Sequence, residues 1–306
     1  MPQVLSELSD ALAGFVDAAA PSVVRIEGRE RLPGTGIVWD SSGTIVTAHH
    51  VLEWDDNIKI GTHGGETVEA ELIGRDPAID VAVLRAPSAS LAAPQWAEPD
   101  AGPDAEPDTL RVGHLALSLG RPGHNVRATL GIISALGQAW RTPAGGSIDR
   151  YLQTDTVMYP GFSGGPLVDA EGRFIGLNSS ALVHGISVAV PAPTLRRVVQ
   201  ELQEHGKVRR AYLGVVAQPT RLPESVAQQL EQETGLLLVS VEAGGAAESG
   251  GLFMGDTLVS LGGSPVRHLD DLLSNLGGDS IGQRISARVL RGGQLIEVTL
   301  SPNAHS

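Results

Sequence analysis

The sequence predicts a mostly β protein, and composition and punctuation are what predict it. The chain has 306 residues, of which 38 are glycine, while only 4% are aromatic. Its many short Val, Ile and Leu runs are broken by Gly, Pro, Asn and Asp, the pattern of brief strands joined by tight turns. The length allows two or three domains, and 42% hydrophobic residues allow ordinary cores. A net charge of −13 with no compensating Lys/Arg cluster argues against a nucleic-acid partner, because phosphate binding needs a basic face. With no cysteine the chain can form neither a disulfide nor a thiolate metal site, and the redox compartment stays open. No metal and no cofactor is expected.

The chemistry concentrates in Gly161-Phe162-Ser163-Gly164-Gly165-Pro166-Leu167. A serine in a glycine-bounded turn can present its hydroxyl to a carbonyl, but it needs a base and a group that orients that base. The string G-x-S-x-G leaves two folds open. In an α/β-hydrolase the serine follows a strand, opens a helix and precedes both partners, so His184 or His205 would have to be the base. Here Pro166-Leu167-Val168, an acidic turn Asp169-Ala170-Glu171-Gly172-Arg173 and then Phe174-Ile175-Gly176-Leu177 read as two antiparallel strands. The order His50, Asp80, Ser163 is that of a two-barrel serine protease. In an extended segment His49 and His50 point to opposite faces, so only one can serve Ser163. Asp80 stands at the mouth of Val81-Ala82-Val83-Leu84, whereas Asp76 with Pro77 reads as a turn. His63, His114, His124 and His184 have no paired spacing and receive no role.

Several further stretches carry a resemblance to a known family. Gly34-Thr35-Gly36-Ile37-Val38, Gly43-Thr44-Ile45-Val46-Thr47, Leu119-Gly120-Arg121-Pro122-Gly123, Thr129-Leu130-Gly131-Ile132-Ile133-Ser134 and Gln153-Thr154-Asp155 accompany the three candidate residues. Together they resemble the HtrA (Deg) family of serine proteases over nearly the whole chain. The implied fold class is mostly β: a chymotrypsin-like protease domain of two barrels followed by a PDZ domain. The implied activity is endopeptidic cleavage of misfolded or unfolded proteins by His50, Asp80 and Ser163. The alternative is a PDZ scaffold or chaperone without proteolysis, its oxyanion loop impaired, for which Phe162 beside the serine is the evidence.

The elements follow in chain order. Residues 1–20 form an N-terminal amphipathic helix, with Leu5, Leu8, Leu12, Phe15 and Ala19 on one stripe and Pro21 as its stop. That stripe either packs on its own domain or makes a subunit contact; the resemblance implies a homotrimer joined near this end. Met1 to Asp10 lack the basic flank and continuous apolar run of a signal peptide, so the chain reads as cytoplasmic as written, and extracytoplasmic if a leader precedes it. Residues 21–203 form the protease domain. Its first barrel runs from about Ser22 to Leu84 and its second from about Leu110 to Val190. The acidic, proline-broken stretch Glu98 to Asp108 is an exposed connection between them. A helix spans Thr194 to Leu202, residues 204–209 are a linker, and residues 210–303 form the PDZ domain.

The resemblance also implies finer roles. Backbone N–H groups of Gly161 and Ser163 form the oxyanion hole, which stabilises charge that develops only in the tetrahedral intermediate. Phe162 departs from the family, which places a small polar residue there, most often Asn. Val157, with Ile186, Ser187 and Val188, forms an uncharged specificity pocket for small or medium aliphatic side chains. Arg141 and Arg150 flank a glycine-rich stretch, Thr142 to Ser147, where the family carries a loop that senses PDZ-bound peptide; the residues alone read as a surface loop. Tyr212, Leu213, Gly214 and Val215 resemble the carboxylate-binding loop of a PDZ domain. Gly250 to Val259 resembles its helix-to-strand turn, and Leu269 to Leu276 its groove helix. Backbone N–H groups before an exposed strand edge can hold a terminal carboxylate while the peptide adds as a strand.

Overall fold

A computed structural model describes residues 2–87, 91–97, 110–209 and 211–304. The acidic stretch Glu98 to Asp108 lies outside the described residues. The chain divides into two compact units, Met1–Lys207 and Val208–Ser306.

The first unit opens with helix α1, Pro2–Ala19. A 3₁₀ turn containing Pro21 follows at Ala20–Ser22, since proline's fixed φ and missing N–H do not continue the α pattern. The apolar stripe is covered only toward its C-terminal end. Leu5 is 68% and Leu8 42% exposed, whereas Leu12 and Phe15 are half-buried and Phe15 lies against Gly172.

Strands β1 Val23–Glu27, β2 Gly34–Val38, β3 Thr44–Thr47, β4 Ile58–Gly61, β5 Thr67–Asp76 and β6 Val81–Arg85 close into the first barrel, in the order β1-β2-β3-β6-β5-β4. Its interior is filled by β-branched and leucine side chains, among them Val24, Ile26, Val38, Ile45, Ile60 and Leu84, all buried and on one face by register. Such residues pack well on a pleated surface, and closure removes the unpaired edges of an open sheet.

Strands β7 Leu115–Gly120 and β8 Arg127–Leu136 begin the second barrel, and a short hairpin of β9 Trp140–Arg141 and β10 Ser147–Ile148 follows. Then β11 Leu152–Thr154, β12 Pro166–Val168, β13 Phe174–Ser179 and β14 Ser187–Pro191 complete a closed barrel ordered β11-β14-β13-β12-β7-β8. Strands β12 and β13 pair antiparallel, as the turn between them requires. Asp169 organises that turn: its Oδ1 accepts the N–H groups of Glu171 and Arg173, and its Oδ2 accepts Arg173 Nε at 2.8 Å. The chain after Ser163 is therefore a hairpin, and the α/β-hydrolase reading is excluded. Helix α2, Ala192–His205, buries Leu195, Val198, Val199 and Leu202 and ends at Gly206, whose φ of +71° suits glycine. It packs on β5 so closely that a Cβ at Gly74 would stand 2.2 Å from the Gly206 carbonyl oxygen.

The second unit contains β15 Ala211–Tyr212, β16 Val215–Arg221, α3 Glu224–Leu230, β17 Thr234–Val241, α4 Ala246–Ser249, β18 Thr257–Leu261, β19 Ser264–Pro265, α5 Leu269–Ser274, β20 Ile285–Arg291, β21 Gln294–Leu300 and β22 Asn303–Ala304. The main sheet runs β16-β17-β18-β20-β21, with β16 at one edge. Leu236, Leu238, Leu258, Val266, Leu272 and Val289 lie in its core. Asp256, almost fully buried, takes two hydrogen bonds of 2.7 Å from Arg291. Burial alone would raise its pKa, but the hydrogen bonds from Arg291 and from the Phe253 N–H, with the Arg291 charge, hold it below the ordinary carboxylate value.

Candidate active site

His50 follows β3 on a 3₁₀ turn, His49–Val51. The extended segment expected there is thus corrected: Ala48 is extended, but the chain then tightens so that the Leu52 N–H closes on the His49 carbonyl. Asp80, in the turn leading into β6, has φ +57°, a left-handed conformation that Asp tolerates better than most residues. That turn aims its carboxylate at His50. Asp80 Oδ1 accepts the His50 backbone N–H at 2.9 Å and Oδ2 lies 2.8 Å from His50 Nδ1. Ser179, at the end of β13, also donates its hydroxyl to Oδ2. Because a carboxylate only accepts, Nδ1 is the donor, and the neutral tautomer this selects has its lone pair on Nε2.

The rival residues have other partners. Asp76 Oδ1 accepts the Ala78 N–H at 3.0 Å, closing the local turn read from the sequence. His49 Nδ1 accepts from Arg75 at 3.3 Å. Burial, and next the Arg75 charge, push the His49 pKa down, so it is neutral at physiological pH.

Ser163 sits between Gly161 at φ +90° and Gly164 at φ +85°. A Cβ at Gly164 would stand 2.1 Å from the Thr35 carbonyl oxygen and 2.5 Å from Thr47 Oγ1, which explains glycine there. The same closeness brings the serine loop against the strand that leads to His50. Ser163 Oγ lies 2.9 Å from Ser180 Oγ. Among the described residues this is its hydrogen bond; none joins it to His50. Ser179 and Ser180, consecutive in the chain, thus touch Asp80 and Ser163 respectively. Neither stood out in the sequence, where no motif marks the end of β13.

Phe162 is fully buried, with its ring against Gly120 and edge-on to Tyr159 at 5.9 Å. It anchors the loop from inside. Its N–H donates to the Tyr159 carbonyl at 3.0 Å and its own carbonyl accepts from Gly165 at 2.9 Å. Among the described residues, the N–H groups of Gly161 and Ser163 have no protein acceptor. Two donors are left uncommitted beside the serine.

Val157 is 55% and Ile186 37% exposed, just beyond the paired ends of β11 and β14. Ser187 pairs with Thr154 and donates its hydroxyl to the Thr156 carbonyl at 2.9 Å. Val188 is buried between β11 and β13 and presents no surface to a ligand. The stretch Thr142 to Ser147 is more than a surface loop. Thr142 is buried and donates its hydroxyl to the Ala78 carbonyl, two residues before Asp80, while Gly146 packs against Ala78 and Ile79.

In the second unit Leu213 is buried and Gly214 has φ +76°. Among the described residues no acceptor meets the N–H of either. Strand β16 follows immediately, among the described residues paired on one side only, with α5 beside it. Tyr212 pairs with Asn303, and Val215 begins β16.

Residues 34–177 match the trypsin-like peptidase domain and residues 211–301 the PDZ domain. Fold and site together define a trypsin-like serine peptidase domain joined to a PDZ domain. The chain is 31% identical over 283 residues to a probable periplasmic serine endoprotease, DegP-like, of Chlamydia muridarum, covering 90% of this chain and 55% of that protein. The corresponding protein of Ectopseudomonas mendocina is 32% identical, at 91% and 59% coverage. The solved HtrA-type protease AlgW with tripeptide superposes with a TM-score of 0.76 at 31% identity, over 96% of this chain and 97% of that one. The chain belongs to the HtrA family of serine endopeptidases. It spans a little over half the length of the DegP-like relatives it matches. Their names place those relatives in the periplasm, and nothing supports the cytoplasmic expectation. Among the described residues no helix is long and apolar enough to cross a membrane.

Proposed function

We propose that this chain is a serine endopeptidase that cleaves unfolded or misfolded proteins through His50, Asp80 and Ser163. The observation that carries the reading is Asp80 holding His50 at both its backbone N–H and Nδ1, beside a serine loop with two uncommitted N–H donors. His50 Nε2 takes the Ser163 proton once that hydroxyl turns from Ser180, and Ser163 Oγ attacks the scissile carbonyl. The oxyanion accepts hydrogen bonds from the Gly161 and Ser163 N–H groups, and His50 then protonates the leaving amine. Water enters by the reverse sequence and releases the acyl group.

Val157 and Ile186 carry no charge, which supports cleavage after small or medium aliphatic residues. Discrimination among such side chains is worth about 1–3 kcal/mol, so the preference is broad. For the second unit we propose capture of apolar C-termini: Leu213 and Gly214 hold the carboxylate, Tyr212 and Val215 flank them, and the peptide pairs with the free edge of β16. The exposed Leu5 and Leu8 support a homotrimer formed through α1, and the relatives' names favour an extracytoplasmic setting.

The hydrogen bond between Ser163 and Ser180 favours a second reading, a PDZ scaffold that binds without cleaving. Casein cleavage by the wild type beside Ser163→Ala, with and without a peptide ending in an apolar residue, separates the two. Cleavage lost in Ser163→Ala supports the protease; no cleavage under either condition supports the scaffold.

A further inference from the structure

We propose that Thr35 is a positioning residue that aims the oxyanion donors, an inference that rests on reading Ser163 as the nucleophile. Thr35 lies on β2 in the first barrel and is fully buried. Its hydroxyl donates to the Gly161 carbonyl at 2.6 Å across 126 residues of sequence, and its N–H donates to the Ser163 carbonyl at 3.2 Å. One residue thus holds both ends of the three-residue loop.

The direction of the hydroxyl proton is dictated. Thr35 Oγ1 also receives the Arg121 backbone N–H at 2.8 Å, and that group can only donate. The single hydroxyl proton is therefore left for Gly161. Arg121 is itself held, its buried guanidinium donating to the Val23 carbonyl at 2.7 Å and the Ala20 carbonyl at 2.9 Å. From the other side, Thr47 Oγ1 donates to the Thr35 carbonyl at 2.7 Å.

The geometry of the loop turns this into chemistry. The peptide between Gly161 and Phe162 lies between the two peptides whose N–H groups are the oxyanion donors. Its carbonyl is fixed by Thr35 and its N–H by Tyr159. Rotation of this middle peptide changes ψ of Gly161 and φ of Phe162, and so the relative aim of the flanking N–H groups. Glycine at 161 resists such rotation least. Without the Thr35 hydroxyl the Gly161 carbonyl loses its donor, and a misaimed donor matters most in the transition state, where the oxyanion's charge develops.

The test compares the wild-type chain with Thr35→Val, Thr35→Ala and Thr35→Ser. Each is assayed with an internally quenched casein peptide for kcat and KM across pH, with a fluorophosphonate for labelling rate, and by thermal melting for folding. Thr35→Val should lower kcat about 100-fold, with KM and the pH profile unchanged, because His50 and Asp80 are untouched. Labelling should slow in parallel, and Thr35→Ser should restore both. Wild-type kcat in Thr35→Val, a loss confined to KM, or failure of Thr35→Ser to rescue overturns the inference. If Thr35→Val does not fold, Thr35→Ala is judged by the same criteria. If neither folds while Thr35→Ser behaves as wild type, the hydroxyl serves folding alone and the inference is also overturned. A wild type that is neither labelled nor active, with or without a peptide ending in an apolar residue, defeats the nucleophile reading instead.

Discussion

Ser163 Oγ and Ser180 Oγ stand 2.9 Å apart, so the hydroxyl that must reach His50 is engaged elsewhere. One hydrogen bond of this kind is worth about 0.5–1.5 kcal/mol net, enough to bias a hydroxyl rotor without locking it. Ser180→Ala removes the competitor. Fluorophosphonate labelling should then accelerate about 2- to 10-fold by the same magnitude. An unchanged or slower rate would mean that the contact does not restrain the nucleophile.

The Asp80 carboxylate receives three hydrogen bonds, two from His50 and one from Ser179. Asp80→Asn keeps the size but replaces a pure acceptor with an amide that can favour the wrong imidazole tautomer. Casein cleavage at pH 7 should fall by about 10⁴-fold, while the melting temperature moves little by comparison. A loss smaller than about 10-fold would remove Asp80 from its orienting role.

Phe162 fills the space over Gly120 so tightly that a Cβ there would meet its ring at 2.7 Å. Phe162→Ala should therefore cost about 3–5 kcal/mol in urea unfolding of the first unit, and proteolysis should fall with it. Gly120→Ala attacks the same contact from the other side and should also destabilise. Wild-type stability in both variants would show that the ring does not anchor the loop.

The Asp256–Arg291 pair gives the second unit an acid-sensitive element. The folded-state pKa of Asp256 is below its ordinary value of 3.8, so the unfolded chain binds the proton more readily. Its contribution is complete above about pH 5 and is lost as pH falls through 3.8 toward the folded value. Melting of the full chain followed from pH 6 to pH 2 should show the second unit losing stability over the acid end. Arg291→Leu should destabilise it at pH 6 and flatten that dependence; an unchanged acid slope would contradict the pairing.

The hairpin after Ser163 was legible because Pro166 and an acidic, glycine-containing turn are local signals, and Asp169 closes that turn with its own neighbours. The pairing of His50 with Asp80 was accessible for a different reason: chain order narrows a serine with upstream His and Asp to one arrangement of barrels. The turn at His49 was misread as extended, since a three-residue 3₁₀ element leaves no periodicity to detect. The coverage of α1 was equally hidden, because a stripe records that a face is apolar and not what covers it.

By itself the sequence determined the β-rich class, the order of the site residues, the hairpin and the presence of a second unit, all of which rest on neighbours in the chain or on motif order. The tertiary structure alone decided that Thr35 holds Gly161, that Ser179 supports Asp80 and that Ser180 engages Ser163. The first two contacts join residues 126 and 99 positions apart, and the third joins two loops of one barrel 17 positions apart. A hydroxyl has one proton and two lone pairs, and its partner is chosen only when barrel closure sets which donor and acceptor stand within about 3 Å.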